Sequence, residues 1–100
     1  MVVKIMPSEK TAPQGKLADA EVHFTEGSLE GMRLLGFAVW EKKNGPGRTV
    51  TFPSRTYSVQ GERRSFSLLR PQGDIRSQDR VRDLVLQAYA DFESQAAVAS

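Results

Sequence analysis

Residues 32–52, MRLLGFAVWEKKNGPGRTVTF, decide the fold. Met32–Lys43 is the longest apolar run. It carries Leu35, Phe37 and Val39 on one face of an extended chain and Leu34, Ala38 and Trp40 on the other. Apolar groups on both faces suit a central strand, or a strand whose second face meets another chain. Asn44-Gly45-Pro46-Gly47 follows, and Gly supplies positive φ while Pro fixes its own φ near about −65°. Arg48–Phe52 then returns with Val50 and Phe52 on one face. The stretch predicts a β-hairpin over residues 32–52.

Upstream, residues 16–25 alternate. Ala18, Ala20, Val22 and Phe24 point one way; Asp19, Glu21, His23 and Thr25 point the other. A period of two means a strand with one buried and one wet face. Gly27 and Gly31 bracket a turn. Residues 1–15 read as an extended start, with Val3 and Ile5 able to form a short strand, and then a polar loop punctuated by Pro7, Pro13 and Gly15. They are expected to form a flexible N-terminal extension.

Downstream, Pro53-Ser54 stops the strand because Pro offers no ladder donor. Arg55–Arg63 is expected as a polar connector turning at Gly61. Arg64–Leu69 is expected as a further strand with Phe66 and Leu68 inward, ended by Pro71-Gln72-Gly73-Asp74. Val81, Leu84, Val85, Ala88, Phe92 and Ala96 follow helical spacing, with Ser77 as N-cap and Asp79 complementing the dipole. Residues 94–100 are expected to fray. Strands followed by one amphipathic helix predict an α+β layer: an antiparallel sheet of about four strands with the C-terminal helix packed on one face. A chain of 100 residues allows one such domain, placed over residues 16–93.

The chain has no Cys, which excludes disulfides and Cys-based metal sites. The N-terminus lacks a secretory apolar stretch and no run is long enough to span a bilayer, so a cytoplasmic protein without membrane contact is the default expectation. The single His, His23, has no Cys or second His with which to build a nucleophile–base pair or a metal centre. Asp19 and Glu21 share a strand face and are read as solvated. The Gly45/Gly47 turn joins strands, so it lacks the helix dipole of a phosphate-binding loop. No enzyme, cofactor, metal or small-molecule substrate is expected.

Binding chemistry is better represented. Net charge is only +2, but it is unevenly spread. Residues 1–41 hold four basic against six acidic residues, residues 42–82 hold ten against three, and residues 83–100 hold three acidic and none basic. Eight of the ten central cations are Arg, a side chain suited to bidentate phosphate contact and to stacking. Trp40, Phe52 and Tyr57 accompany this segment, Phe52 reading as core and Tyr57 as the best exposed ring. Aromatics interleaved with Arg suit nucleic acid. Arg70, Arg76, Arg80 and Arg82 gather at the helix start, where Asp79 and Asp83 stand at spacings that allow intrahelical pairing.

These residues also carry a resemblance. The order V-x-F-P-S-R (Val50, Phe52, Pro53, Ser54, Arg55), a loop with Gly61, R-S-F-S-L-L-R-P (Arg64–Pro71) and V-R-D-L-V-L-Q-A-Y (Val81–Tyr89) resembles the SpoVG family, the stage V sporulation protein G group of bacteria. The likeness covers about residues 16–93 and leaves residues 1–15 outside. It implies a small α+β fold that dimerises through its sheet, and a regulator that binds DNA, or RNA in some members. It places nucleic-acid contact on Arg76, Arg80 and Arg82 and matches the Ser54-Arg55 step to the family's Ser-basic step. The expected ligand is therefore DNA foremost, or RNA. The expected contacts are Arg55, Tyr57, Arg70, Arg76, Arg80 and Arg82, with Leu34, Ala38 and Trp40 at a homodimer interface. The alternative is a protein–protein adaptor that keeps the fold without binding nucleic acid.

Overall fold

Alternating apolar side chains build the main sheet one strand at a time. In the computed structural model, which describes residues 1–99 and side chains as far as Ala96 at the C-terminal end, β1 (Val2–Pro7), β2 (Lys16–His23), β3 (Arg33–Glu41) and β4 (Arg48–Thr51) form an antiparallel sheet in the order β1-β2-β3-β4. A two-stranded antiparallel ribbon follows, β5 (Ser54–Val59) and β6 (Glu62–Ser67), and then helix α1 (Arg76–Ala99). The α+β class and the single helix packed on the sheet are as the periodicities indicate.

The core lies between α1 and one sheet face. Ala18, Ala20 and Val22 of β2 point into it with Phe37 and Val39 of β3, Val50 of β4, and Val85 and Tyr89 of α1. Alanine at two positions of β2 keeps the middle of the sheet low, so the bulk comes from its neighbours: Phe37, Val39 and Val85 are the largest fully buried side chains. Burying a side chain of this size contributes about 2 kcal/mol. The Phe37 ring meets Phe52 edge-on at 5.2 Å, an arrangement that aromatic quadrupoles favour.

The N-terminal segment is part of this sheet. β1 pairs along its whole length with β2, and Val3 and Ile5 pack against the core beneath Ala88 and Phe92. The expected flexible extension is thereby reduced to the residues between β1 and β2, and even there the Ser8 N–H donates to the Leu17 carbonyl at 3.2 Å.

A bulge in β3 reassigns its faces. Ala20 pairs with Phe37 but Val22 with Leu34, so β3 fits an additional residue opposite β2. Gly36 absorbs it at φ +107°, a conformation that costs a residue with a Cβ. Leu34 consequently turns to the helix side and joins the core, while Leu35 is exposed. The expected grouping of Leu34 with Ala38 and Trp40 on one face does not occur.

The expected connector over residues 55–63 is instead most of the ribbon. Gln60 and Gly61, at φ +52° and +78°, make the two-residue turn that the strand twist favours. Phe66 and Leu68, expected inward, are 40% and 58% exposed. No residue of β5 or β6 is buried, and the ribbon extends the molecule to 51 × 37 × 24 Å. The radius of gyration is 15.1 Å, against about 13 Å for a compact chain of this length.

At the helix start, the Asp74 carboxylate accepts the Arg76 N–H at 3.0 Å. Asp74 therefore caps the helix in place of Ser77. The apolar stripe runs through Val81, Val85, Tyr89 and Phe92, while Leu84 and Ala96 lie outside it and are exposed. The tail expected to fray is helical through Ala99, and Ser100 lies outside the described residues.

Candidate functional site

Two neighbouring regions collect the arginines: the ribbon and the entrance of α1. Their junction is built from Phe52-Pro53 and Leu68–Pro71. Pro53 is buried against Gly36, and its carbonyl accepts the Leu68 N–H at 2.9 Å. Phe52, Leu69, Arg70 and Pro71 then line a cleft of about 100 Å³ with Ser77, Gln78 and Val81 of α1. That volume is below the several hundred Å³ typical of small-molecule sites. The cleft brings Arg70 beside the first helical turn.

The arginines at the entrance are not equivalent. Arg76 grips Asp74, its Nε lying 3.1 and 3.2 Å from the two carboxylate oxygens, and this pairing holds the Asp74 carboxyl below its ordinary range. Arg82 donates to Asp79 at 2.7 Å and lies over the Phe52 ring at 5.9 Å. It staples the ribbon base to the helix. Arg80 makes only a 3.3 Å contact with the Ser77 hydroxyl. Arg70 and Arg80 thus flank Ser77 on an exposed surface, and neither has a carboxylate within 4 Å among the described residues.

Arg55 and Tyr57 stand on one face of the ribbon. Arg55 is opposite Phe66 and Tyr57 is opposite Arg64, so each ring faces a guanidinium across the ladder. Arg64 reaches Glu62 at 3.1 Å, whereas Arg55 and Arg63 have no acidic partner among the described residues. Arg63, Arg64 and Phe66 are additions to the expected set. The alternation Arg55-x-Tyr57-x-Val59 and Arg64-x-Phe66-x-Leu68 about Gln60-Gly61 is the signal that points to Arg64 and Phe66, while Arg63 stands on the ribbon's other face.

Of the expected interface residues, Leu34 is in the core. Ala38 is only 6% exposed on the opposite sheet face. Trp40, half-buried on that face, donates its indole N–H to Thr51 at 2.9 Å, beside an open depression that includes Lys42, Lys43 and Thr49. His23 on the same face contacts Glu21 at 2.9 Å, and Arg33 reaches the same oxygen at 3.4 Å. The hydrogen bond from His23 is the main cause of the lowered Glu21 pKa. Among the described residues no helix is long and apolar enough to cross a membrane. Compared with protein-family models, curated proteins and solved structures, the chain matches nothing.

Proposed function

We propose that this chain is a SpoVG-like regulatory protein that binds nucleic acid through Arg–phosphate contacts as a homodimer. The observation that carries the reading is the set Arg55, Arg63, Arg70 and Arg80, exposed and without a carboxylate partner among the described residues. Unpaired guanidinium groups are available to phosphate at no cost in broken ion pairs. Arg76 and Arg82, already engaged, play the smaller part. The sheet face turned away from α1, with Trp40 on it, supports pairing with a second copy.

Fluorescence anisotropy against DNA and RNA over a salt series tests the reading. Each phosphate contact contributes about −0.9 to the log–log salt slope on duplex DNA. The Arg70→Ala/Arg80→Ala variant is expected to flatten the slope by about 2, and Arg82→Ala by less. No binding to any pool at low salt, or an unchanged slope in the double variant, refutes it. In that event the open edges of β5 and β6 favour the adaptor reading, by strand addition from a protein partner. Light scattering that gives a monomer mass at high micromolar concentration refutes the dimer.

A further inference from the structure

We propose that one face of the β5–β6 ribbon is a stacking platform for single-stranded nucleic acid. The proposal rests on the nucleic-acid reading above and names the form of the ligand.

The two faces of the ribbon differ sharply. One carries Ser54, Thr56, Ser58, Arg63, Ser65 and Ser67, and no ring. The other carries Tyr57, Val59 and Phe66 with Arg55, Arg64 and Glu62. Glu62 holds Arg64 at 3.1 Å, and Arg55, across the ladder from Phe66, is the guanidinium of this face without a carboxylate among the described residues. Tyr57 is 42% and Phe66 40% exposed. Leaving two rings and Val59 exposed on a protruding ribbon costs solubility, so this face is built to meet something flat and apolar at its surface, with Arg55 there to take an anionic group. An unpaired base joined to a phosphate has both properties.

Geometry separates single strands from duplex. The rings are 5.8 Å apart and tilted by 56°. Bases stacked in a duplex follow one another at about 3.4 Å along each strand, and their faces are already covered. A ring from outside reaches them only after extrusion, at a cost of a few kcal/mol. A single strand has no such barrier: its bases splay, and each ring takes one face while the Arg55 guanidinium, across the ladder from Phe66, lies within reach of the adjoining phosphate. Six residues of strand measure about 20 Å, room for about three or four nucleotides at the ring spacing.

The test compares labelled oligo(dT) and oligo(U) with a duplex of equal length, by anisotropy at low salt, for the full chain and for Tyr57→Ala/Phe66→Ala. Each lost stack is expected to weaken single-strand binding about tenfold, and the pair about 100-fold. Duplex affinity is expected to stay within about twofold, and mass by light scattering to stay constant. Tyr57→Phe/Phe66→Tyr keeps two rings and is expected to bind as the parent does. If the double alanine variant melts early, Tyr57→Ala alone decides, with a tenfold loss expected. Unchanged single-strand affinity, equal losses on both ligands, or a loss that tracks a change in mass overturns the platform. A parent chain that binds duplex and no single strand overturns it while leaving the nucleic-acid reading intact. A parent that binds neither removes both.

Discussion

Replacing Gly36 by Ala should be among the most damaging single-methyl changes available to this chain. A Cβ at Gly36 would sit 2.8 Å from the Pro53 Cβ and 3.3 Å from its Cα. Real Cβ atoms do not approach so closely, and the obstacle is a buried pyrrolidine ring that has no rotamer to escape into. The backbone adds its own penalty, because φ is +107°, beyond even the left-handed helical region. Holding a non-Gly residue in such a conformation costs about 1–3 kcal/mol, and overpacking a closed contact costs about 1–3 kcal/mol more. The sum is near 4 kcal/mol, a large share of the roughly 5–15 kcal/mol that holds a domain together. The corresponding fall in Tm is on the order of 20 °C for a chain of this size.

Thermal and urea unfolding followed by circular dichroism measures this. Gly45→Ala is the control. Gly45 also has positive φ, +139°, but nothing lies within 4 Å of its would-be Cβ, so it carries the backbone cost alone. The difference between the two variants isolates the contact. Pro53→Gly removes the opposing Cβ, so the double variant should recover part of the loss, with a coupling of about 1–3 kcal/mol. If Gly36→Ala is no worse than Gly45→Ala, or if Gly36→Ala and Pro53→Gly are additive, the ribbon is not seated on β3 as described.

Two titrations provide further checks. The Asp74 carboxyl is held below its ordinary value of 3.8, first by the Arg76 side chain and then by the Arg76 N–H. A depressed folded pKa stabilises above the unfolded value and is lost as pH falls through the folded one. Asp74→Asn keeps a cap for the helix but should flatten the fall in Tm below about pH 4, and an unchanged acid limb would contradict the assigned cap. Tyr89 is the opposite case: burial, followed by the Glu93 charge, raises its phenol above 10.0. A raised folded pKa stabilises below the unfolded value and is lost as pH rises, so Tyr89→Phe should lessen the loss of Tm above about pH 10. A parent and variant with parallel alkaline limbs would show that the hydroxyl is not desolvated.

What could be read from the sequence followed the strength of each periodicity. Ala18, Ala20 and Val22 alternate without interruption, and Val81, Val85 and Phe92 repeat at helical spacing, so β2 and α1 declare themselves. β5 and β6 do not, because Ser and Arg fill the positions that apolar residues occupy in a buried strand. Only Tyr57, Val59 and Phe66 mark their common face, and a ribbon without a buried residue needs no stronger pattern. The reversal of Leu34 had another cause. The Leu34-Leu35-Gly36 step reads equally well in either register. Only the pairing of Val22 with Leu34 shows that a residue has been inserted. Capping by Asp74 was hidden in a Pro-Gln-Gly-Asp stretch that already read as a break.

The charge distribution gains meaning when each arginine is matched to its neighbours. Within residues 42–82 the three acids, Glu62, Asp74 and Asp79, each hold one arginine: Arg64, Arg76 and Arg82. Glu93 of the helix takes Arg48, which also lies 5.0 Å from the centre of the Tyr89 ring. Arg48 and Arg82 therefore serve packing of α1 against the sheet and the ribbon base. Lys42, Lys43, Arg55, Arg63, Arg70 and Arg80 are left without carboxylates among the described residues, so folding does not neutralise the basic segment. It removes from availability those cations that lie beside an acid and presents the rest on the ribbon, at the helix entrance and at the β3–β4 turn. A helix-entrance triad of Arg76, Arg80 and Arg82 is thus the wrong unit to remove when testing for phosphate contact. Two of its members hold structure, and their loss would lower stability and binding together. Arg70 and Arg80 separate the two effects, because neither anchors an element.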